Sequence, residues 1–207
     1  SVLQQADMAL QQAKAAGGNT LCFFNVDMQT SVLERASLEG DLHQALARNE
    51  LALHYQVQVD HQGVTTGVEA LLRWYHPQRG WVSPATFIPL AEENGLIVPI
   101  GHWVLQCACE QLAKWANQPS YTALTISVNV SSVQFQQPEF VRDVEGLLAQ
   151  TQAPPGRLVL EVTESLLMRE PTRVRNTMLK LRAQGVRMAL DDFGTGYSSL
   201  SYLKRLP

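Results

Sequence analysis

The spacing of apolar positions changes along this chain, and the changes mark its elements. From residues 2 to 16 Ala and Leu recur at helical spacing, and Gly17-Gly18-Asn19 supplies a stop. Leu21-Cys22-Phe23-Phe24 then reads as a short strand. Residues 28 to 48 return to the helical period, with Val32, Leu33, Ala36, Leu42, Ala45 and Leu46 on the apolar side and Arg35, Glu39 and Arg48 facing solvent. That is the pattern of a connector helix. At Leu51 the period becomes strand-like: residues 51 to 59, a turn at His61-Gln62-Gly63 and a second strand at 65 to 74 predict an antiparallel pair. Helices at 84 to 94 and 97 to 117 follow, then a strand at 124 to 130, a helix at 138 to 150, a strand at 158 to 163, a helix at 171 to 184 and a strand at 187 to 191.

Strands alternating with helices imply a parallel sheet with helices packed outside. Asn129 to Glu161 is 32 residues and Glu161 to Asp191 is 30, close to the roughly 30 residues of one strand-helix-strand unit. The spacing therefore predicts that these polar residues recur at one height in the sheet. Because side chains alternate across a strand, Ser127 and Asn129 share a face with Ser131, and Glu161 shares one with Val159 and Thr163. Under a helix layer each unpaired carboxylate would cost several kcal/mol, whereas the carboxyl ends of barrel strands open onto a common mouth. The expected fold is α/β, a TIM-like (β/α) barrel with an antiparallel strand near its start.

Composition agrees with a globular chain and narrows its partners. Of 207 residues 45% are hydrophobic, enough for the core of one ordinary domain, and no tract is low in complexity. Sixteen basic against 19 acidic residues leave a net charge of -3, which gives no electrostatic footprint for a nucleic acid polymer or an anionic membrane. An anionic ligand would need local help from metal ions or a particular Arg. No segment reaches the roughly 20 apolar residues of a membrane span, and no charged-then-apolar leader signal is expected at the start of the chain. Cys22, Cys107 and Cys109 are odd in number and sit in apolar or helical surroundings, which points to a reducing, cytoplasmic compartment. Cys107 and Cys109, two apart on a helix, point to different faces and read as plain thiols.

The candidate chemistry lies where strands end. Glu69, Asn129, Glu161 and the adjacent Asp191 and Asp192 each stand in an otherwise apolar strand-like run. Consecutive strand residues face opposite ways, so Asp191 and Asp192 address one site only where the backbone turns, as Phe193-Gly194-Thr195-Gly196 provides. Carboxylates so close repel unless a cation lies between them. An all-oxygen set suits Mg²⁺ or Mn²⁺ far better than Zn²⁺, five such groups are consistent with two ions, and two-metal sites perform in-line displacement at phosphorus. A phosphate ester is the implied substrate class. Gly194 and Gly196 read equally as a phosphate cradle or a mobile loop. Glu164 reads as a loop or helix-start residue, His54, His76 and His102 as structural or exposed, and Trp74, Trp81, Trp103 and Trp115 as core or interface.

Glu69-Ala70-Leu71-Leu72-Arg73-Trp74 and Asp191-Asp192-Phe193-Gly194-Thr195-Gly196-Tyr197-Ser198-Ser199-Leu200 resemble the two signature segments of EAL-domain phosphodiesterases of bacterial cyclic di-GMP signalling. The resemblance extends through Tyr55-Gln56, residues 84 to 92, Ser127-Val128-Asn129 and Glu161-Val162-Thr163-Glu164, and covers roughly residues 38 to 207. It implies that Glu69, Asn129, Glu161 and Asp191 coordinate metal, that Asp192 sits between two ions and helps hold the attacking water, that Arg73 contacts a ligand phosphate and that Gln56 contacts the nucleotide. The implied reaction is hydrolysis of cyclic di-GMP to linear pGpG. Ala6-Asp7-Met8-Ala9-Leu10, Ala13-Lys14 and Gly18-Asn19 resemble the tail of a GGDEF diguanylate cyclase domain. The expected organisation is a GGDEF-like tail at 1–26, a connector at 27–48 and an EAL domain at 49–207.

Two departures from the family stand out. Val57 replaces the Pro that usually follows the Tyr-Gln pair. The strands that in the family carry a catalytic Lys and a further metal-binding Glu would follow Pro207, so an incomplete barrel with two open edges is expected, inactive by itself and prone to self-association. Two functions remain open: a metal-dependent phosphodiesterase, or a catalytically silent EAL module that binds the dinucleotide or a partner and transmits a signal.

Overall fold

The computed structural model describes residues 2–15, 17–164, 166 and 170–191, and the chain divides into two compact units, Ser1–Arg48 and Asn49–Pro207. In the first, helices α1 (Val2–Ala15) and α2 (Val26–Ala45) pack on one another. The Asn25 side chain caps α2, its Oδ1 accepting from the Met28 backbone N–H at 2.8 Å, so the helix starts ahead of the predicted residue 28. The strand expected at residues 21 to 24 does not form: among the described residues the segment has no ladder partner to satisfy its backbone, and Leu21 and Phe23 are exposed. Val32, Leu33 and Ala36, expected on the apolar side of α2, are exposed as well, since a single partner helix covers one stripe only.

The second unit carries strands β1 (Leu51–Val59), β2 (Thr65–His76), β3 (Gly80–Val82), β4 (Thr125–Asn129), β5 (Leu158–Thr163) and β6 (Arg187–Asp191) in one sheet of order β1-β2-β4-β5-β6, with β3 attached to β2. β1 and β3 run antiparallel to β2, and β2, β4, β5 and β6 are mutually parallel neighbours. Among the described residues this arc of strands does not close. Helices α3 (Pro84–Glu93), α4 (Ile97–Ala116), α5 (Ser132–Phe135), α6 (Phe140–Thr151) and α7 (Pro171–Ala183) make the crossovers, and α4, α6 and α7 touch in sequence.

Alternation along the strands assigns the two faces. Ile126 and Val128 on β4 and Leu158, Leu160 and Val162 on β5 are buried with Val144 and Leu181 of the helices, forming the core. The intervening positions on the other face are Ser127, Asn129, Glu161 and Thr163. Trp74 is fully buried against Phe87, with ring centroids 5.6 Å apart, and its indole N–H donates to the buried Glu50 carboxylate at 3.1 Å. Of the other tryptophans, Trp81 is exposed and rests edge-on against His54 and Tyr75. His76 is buried, and its Nδ1 accepts from the Gln78 and Arg79 backbone N–H groups, both at 3.2 Å, closing the turn into β3.

Two short elements escape the sequence pattern. β3 and α5 span three and four residues, too few to display a period. α5 is fixed instead by Ser131, whose Oγ accepts from the Gln134 N–H at 3.1 Å. Cys109 is buried, and burial with help from neighbouring Glu110 pushes its thiol up to about 12; Cys107, on another face, is half-buried and shifted the same way.

Candidate active site

β2 brings Glu69 and Arg73 to the polar face, because odd positions on this strand face away from the helices. Its neighbours deliver the other candidates: Glu69 pairs with Gln56 of β1 and with Ser127 of β4, Asn129 pairs with Glu161, and Asp191 pairs with Thr163. Four predicted ligand positions thus share one face on adjacent strands. They do not share one height. Asn129 and Glu161 are level, Glu69 stands level with Ser127 below Asn129, and Asp191 stands level with Thr163 above Glu161. The row climbs across the sheet because barrel strands are staggered, so a constant spacing in sequence becomes an oblique line in space. Asp192 and the glycine loop after it lie outside the described residues.

Contacts bind the row together. The Asn129 amide nitrogen donates to Glu69 Oε1 at 2.7 Å, a bond between residues 60 positions apart. This commits the amide's donor end to Glu69 and leaves the carbonyl oxygen as the atom of ligand character. Burial pushes the Glu161 carboxyl above the ordinary glutamate range; a hydrogen bond from Ser127 opposes the rise, the nearby Glu69 and Asp191 charges add to it, and a hydrogen bond with Gln58 again opposes it. Negative charge therefore converges here from β2, β5 and β6.

A cavity of about 320 Å³ opens beside this row. Arg73, Asn129, Glu161, Thr163 and Asp191 contribute to its polar lining together with Glu92, Ser131 and Gln134, and Ile88, Ile97 and Val104 form part of an apolar wall. Glu69 and Gln56 lie outside that lining, and Gln56 is exposed on β1. The half-buried Arg73 donates through Nη1 to the Leu72 carbonyl at 2.9 Å, which uses one of the five N–H donors of a guanidinium. Sequence reasoning missed Gln58 and gave Ser127 no role, yet Ser127 Oγ lies 3.4 Å from Gln58 Oε1, and both residues meet Glu161. The available signal was the position of Gln58, two residues after Gln56 and hence on the same face.

The donor set fits a hard divalent cation. Carboxylate and amide oxygens from β4, β5 and β6 line one edge of the cavity, Glu69 of β2 joins them through its hydrogen bond from Asn129, and no sulfur or imidazole stands among these groups. Among the described residues no three His, Cys, Asp or Glu side chains converge tightly enough to form a finished metal cage. The carboxylates are spread over three strands, as mutual repulsion dictates.

This arrangement of strands and acids has known counterparts. The family model described as "EAL domain" matches residues 39–207, and the chain belongs to that family. Over 203 residues it is 47% identical to the bifunctional diguanylate cyclase/cyclic di-GMP phosphodiesterase MucR of Pseudomonas aeruginosa, covering 98% of this chain and 30% of that protein. The cyclic di-GMP phosphodiesterase PdeR of Escherichia coli is 35% identical over 207 residues, which is all of this chain and 31% of PdeR. The solved structure described as PaMucR phosphodiesterase in a c-di-GMP complex superimposes with a TM-score of 0.79 at 49% identity, covering 83% of this chain and 69% of that one. The chain spans about a third or less of the length of the curated relatives it matches.

Proposed function

We propose that the protein is a metal-dependent phosphodiesterase that hydrolyses cyclic di-GMP to linear pGpG. The observation that carries this reading is the oblique row of Glu69, Asn129, Glu161 and Asp191 on the face opposite the helices, beside a cavity that Arg73 also lines. The names of MucR and PdeR and the ligand in the PaMucR structure support the choice of substrate.

In this reading Glu69, Asn129, Glu161, Asp191 and Asp192 hold Mg²⁺ or Mn²⁺, two ions in the complete site. The bound metal supplies Lewis-acid activation of water and phosphate. Arg73 clamps a phosphate through charge-assisted hydrogen bonds, and Gln56 contacts the nucleotide from β1. The apolar wall of Ile88, Ile97 and Val104 excludes water from one side of the phosphate, which strengthens each polar contact on the other. Asp192, Asp191 and Glu69 form the catalytic set.

In the same reading an EAL domain at 49–207 follows a connector at 27–48 and a GGDEF-like tail at 1–26, and the division of the chain at Arg48 and Asn49 supports the boundary at 49. All three cysteines are free, which supports a cytoplasmic setting, and among the described residues no helix is long and apolar enough to cross a membrane. Among the described residues β1 ends the sheet, and it presents Tyr55, Val57 and Val59 exposed, which supports self-association of the 207-residue chain through this edge. Light scattering at rising concentration is expected to show a dimer or larger species; a monomer throughout contradicts it.

Product analysis tests the activity. Full-length protein incubated with cyclic di-GMP is expected to release pGpG with Mg²⁺ or Mn²⁺ and to stop with Ca²⁺, whose longer, looser coordination spoils in-line geometry. Undiminished turnover after exhaustive chelation removes the metal from the reaction. Binding without product selects the silent receptor.

A further inference from the structure

Beneath the row of candidate ligands lies a polar contact that crosses three strands. Gln58 belongs to β1 and Ser127 to β4, with β2 between them, yet Ser127 Oγ and Gln58 Oε1 are 3.4 Å apart. Adjacent strands lie about 4.8 Å apart, so the reach spans roughly two spacings. It is possible because the residue in between is Gly67, paired in register with Gln58 on one side and Thr125 on the other. A Cβ on Gly67 would collide with the Thr125 side chain and come within 2.6 Å of the Thr125 carbonyl oxygen. Gly67 thus puts no side chain between Gln58 of β1 and strand β4 at this rung.

The hydrogen-bond inventory decides what the contact does. Ser127 is 3% exposed and its hydroxyl carries one proton, for which the Gln58 oxygen and the Glu161 carboxylate compete. At 3.4 Å the neutral amide oxygen is at the weak end of the range, and a bond to an ionised acceptor is roughly twice as strong. The hydroxyl is oriented toward Gln58 Oε1, and turning its proton to an ionised Glu161 gains the stronger bond. Gln58 still reaches the same carboxylate with its amide N–H. In the register of the sheet Gln58 and Ser127 stand below Glu161, and Glu161 itself lines the cavity.

We propose that Gln58 and Ser127 are positioning residues for Glu161: together they fix its carboxylate in one orientation, with the oxygen that faces the cavity presented as a ligand for a divalent cation. Outer-shell partners of this kind orient metal-binding carboxylates and tune their affinity. The inference rests on the metal reading above and extends it to two residues to which that reading gives no part.

The test is Mn²⁺ binding by the full chain, followed by electron paramagnetic resonance of the free ion, without substrate or turnover. Gln58→Leu and Ser127→Ala are each expected to weaken Mn²⁺ about ten- to hundredfold at an unchanged unfolding temperature. Ser127→Thr, which keeps the hydroxyl, is expected to bind nearly as wild type. Wild-type affinity in both Gln58→Leu and Ser127→Ala overturns the positioning role and leaves the phosphodiesterase reading standing. A wild-type chain that binds no Mn²⁺ overturns the metal reading and this inference with it. Should one variant fail to fold, the other decides alone.

Discussion

At the scale of single residues, Glu161 carries the most information. Its carboxyl is raised by burial and by the Glu69 and Asp191 charges, against the hydrogen bonds from Ser127 and Gln58. Because folding raises this value, the folded chain keeps a proton that the unfolded chain has already released in the window between the ordinary glutamate value and the raised one. The stability tied to Glu161 is therefore full below the ordinary value and is lost as pH climbs through the raised one. Glu161→Gln cannot ionise and escapes that loss. Thermal unfolding in chelator from acid to neutral pH is expected to show the variant gaining on wild type as pH rises, and parallel curves contradict the assigned charge crowding. Glu69, Asn129, Glu161 and Asp191 were each legible in the sequence, as acids or amides set in apolar strand runs. Gln58 was legible only as a residue on the face of Gln56; its closeness to Ser127, across a strand whose residue at that rung is Gly67, is set by register and invisible to the local pattern.

At the scale of elements, the strands follow their sequence signals closely. β1, β5 and β6 run as expected from 51 to 59, 158 to 163 and 187 to 191, since each is a compact apolar run bounded by turn residues or helix signals. The segment at 21 to 24 had the same composition and formed no strand, because composition supplies no pairing partner. β2 is where element and site meet: it carries Glu69 and Arg73, and its Gly67 is pressed against Thr125. The backbone oxygen of Thr125 cannot swing aside as a long side chain would, so strand β2 must move if Gly67 gains bulk. Gly67→Val is expected to cost on the order of 1 to 3 kcal/mol, as overpacking at a tight site does, and to lower Mn²⁺ affinity along with stability. Denaturant unfolding measures the first; a midpoint equal to wild type would mean that the two strands part without penalty.

At the scale of the whole molecule, alternation does most of the work. The sheet buries Ile126, Val128, Leu158, Leu160 and Val162 under its helices and turns Ser127, Asn129, Glu161 and Thr163 the other way, so one periodicity builds both core and site. The same logic made the barrel class legible before any coordinates, since carboxylates at strand ends need an open mouth. The oblique climb from Glu69 to Asp191 was not legible, because stagger between strands is a property of the assembled sheet. If this face is a phosphodiesterase site with Glu69 among its metal-holding acids, release of pGpG depends on Glu69. The most direct measurement compares the release of pGpG from cyclic di-GMP by full-length wild type and Glu69→Ala in Mg²⁺. Product is expected from wild type, and at a rate lower by about two orders of magnitude or more from the folded variant, as loss of a transition-state charge stabiliser produces; equal rates would remove Glu69 from the site, and no product from wild type would rule out the phosphodiesterase.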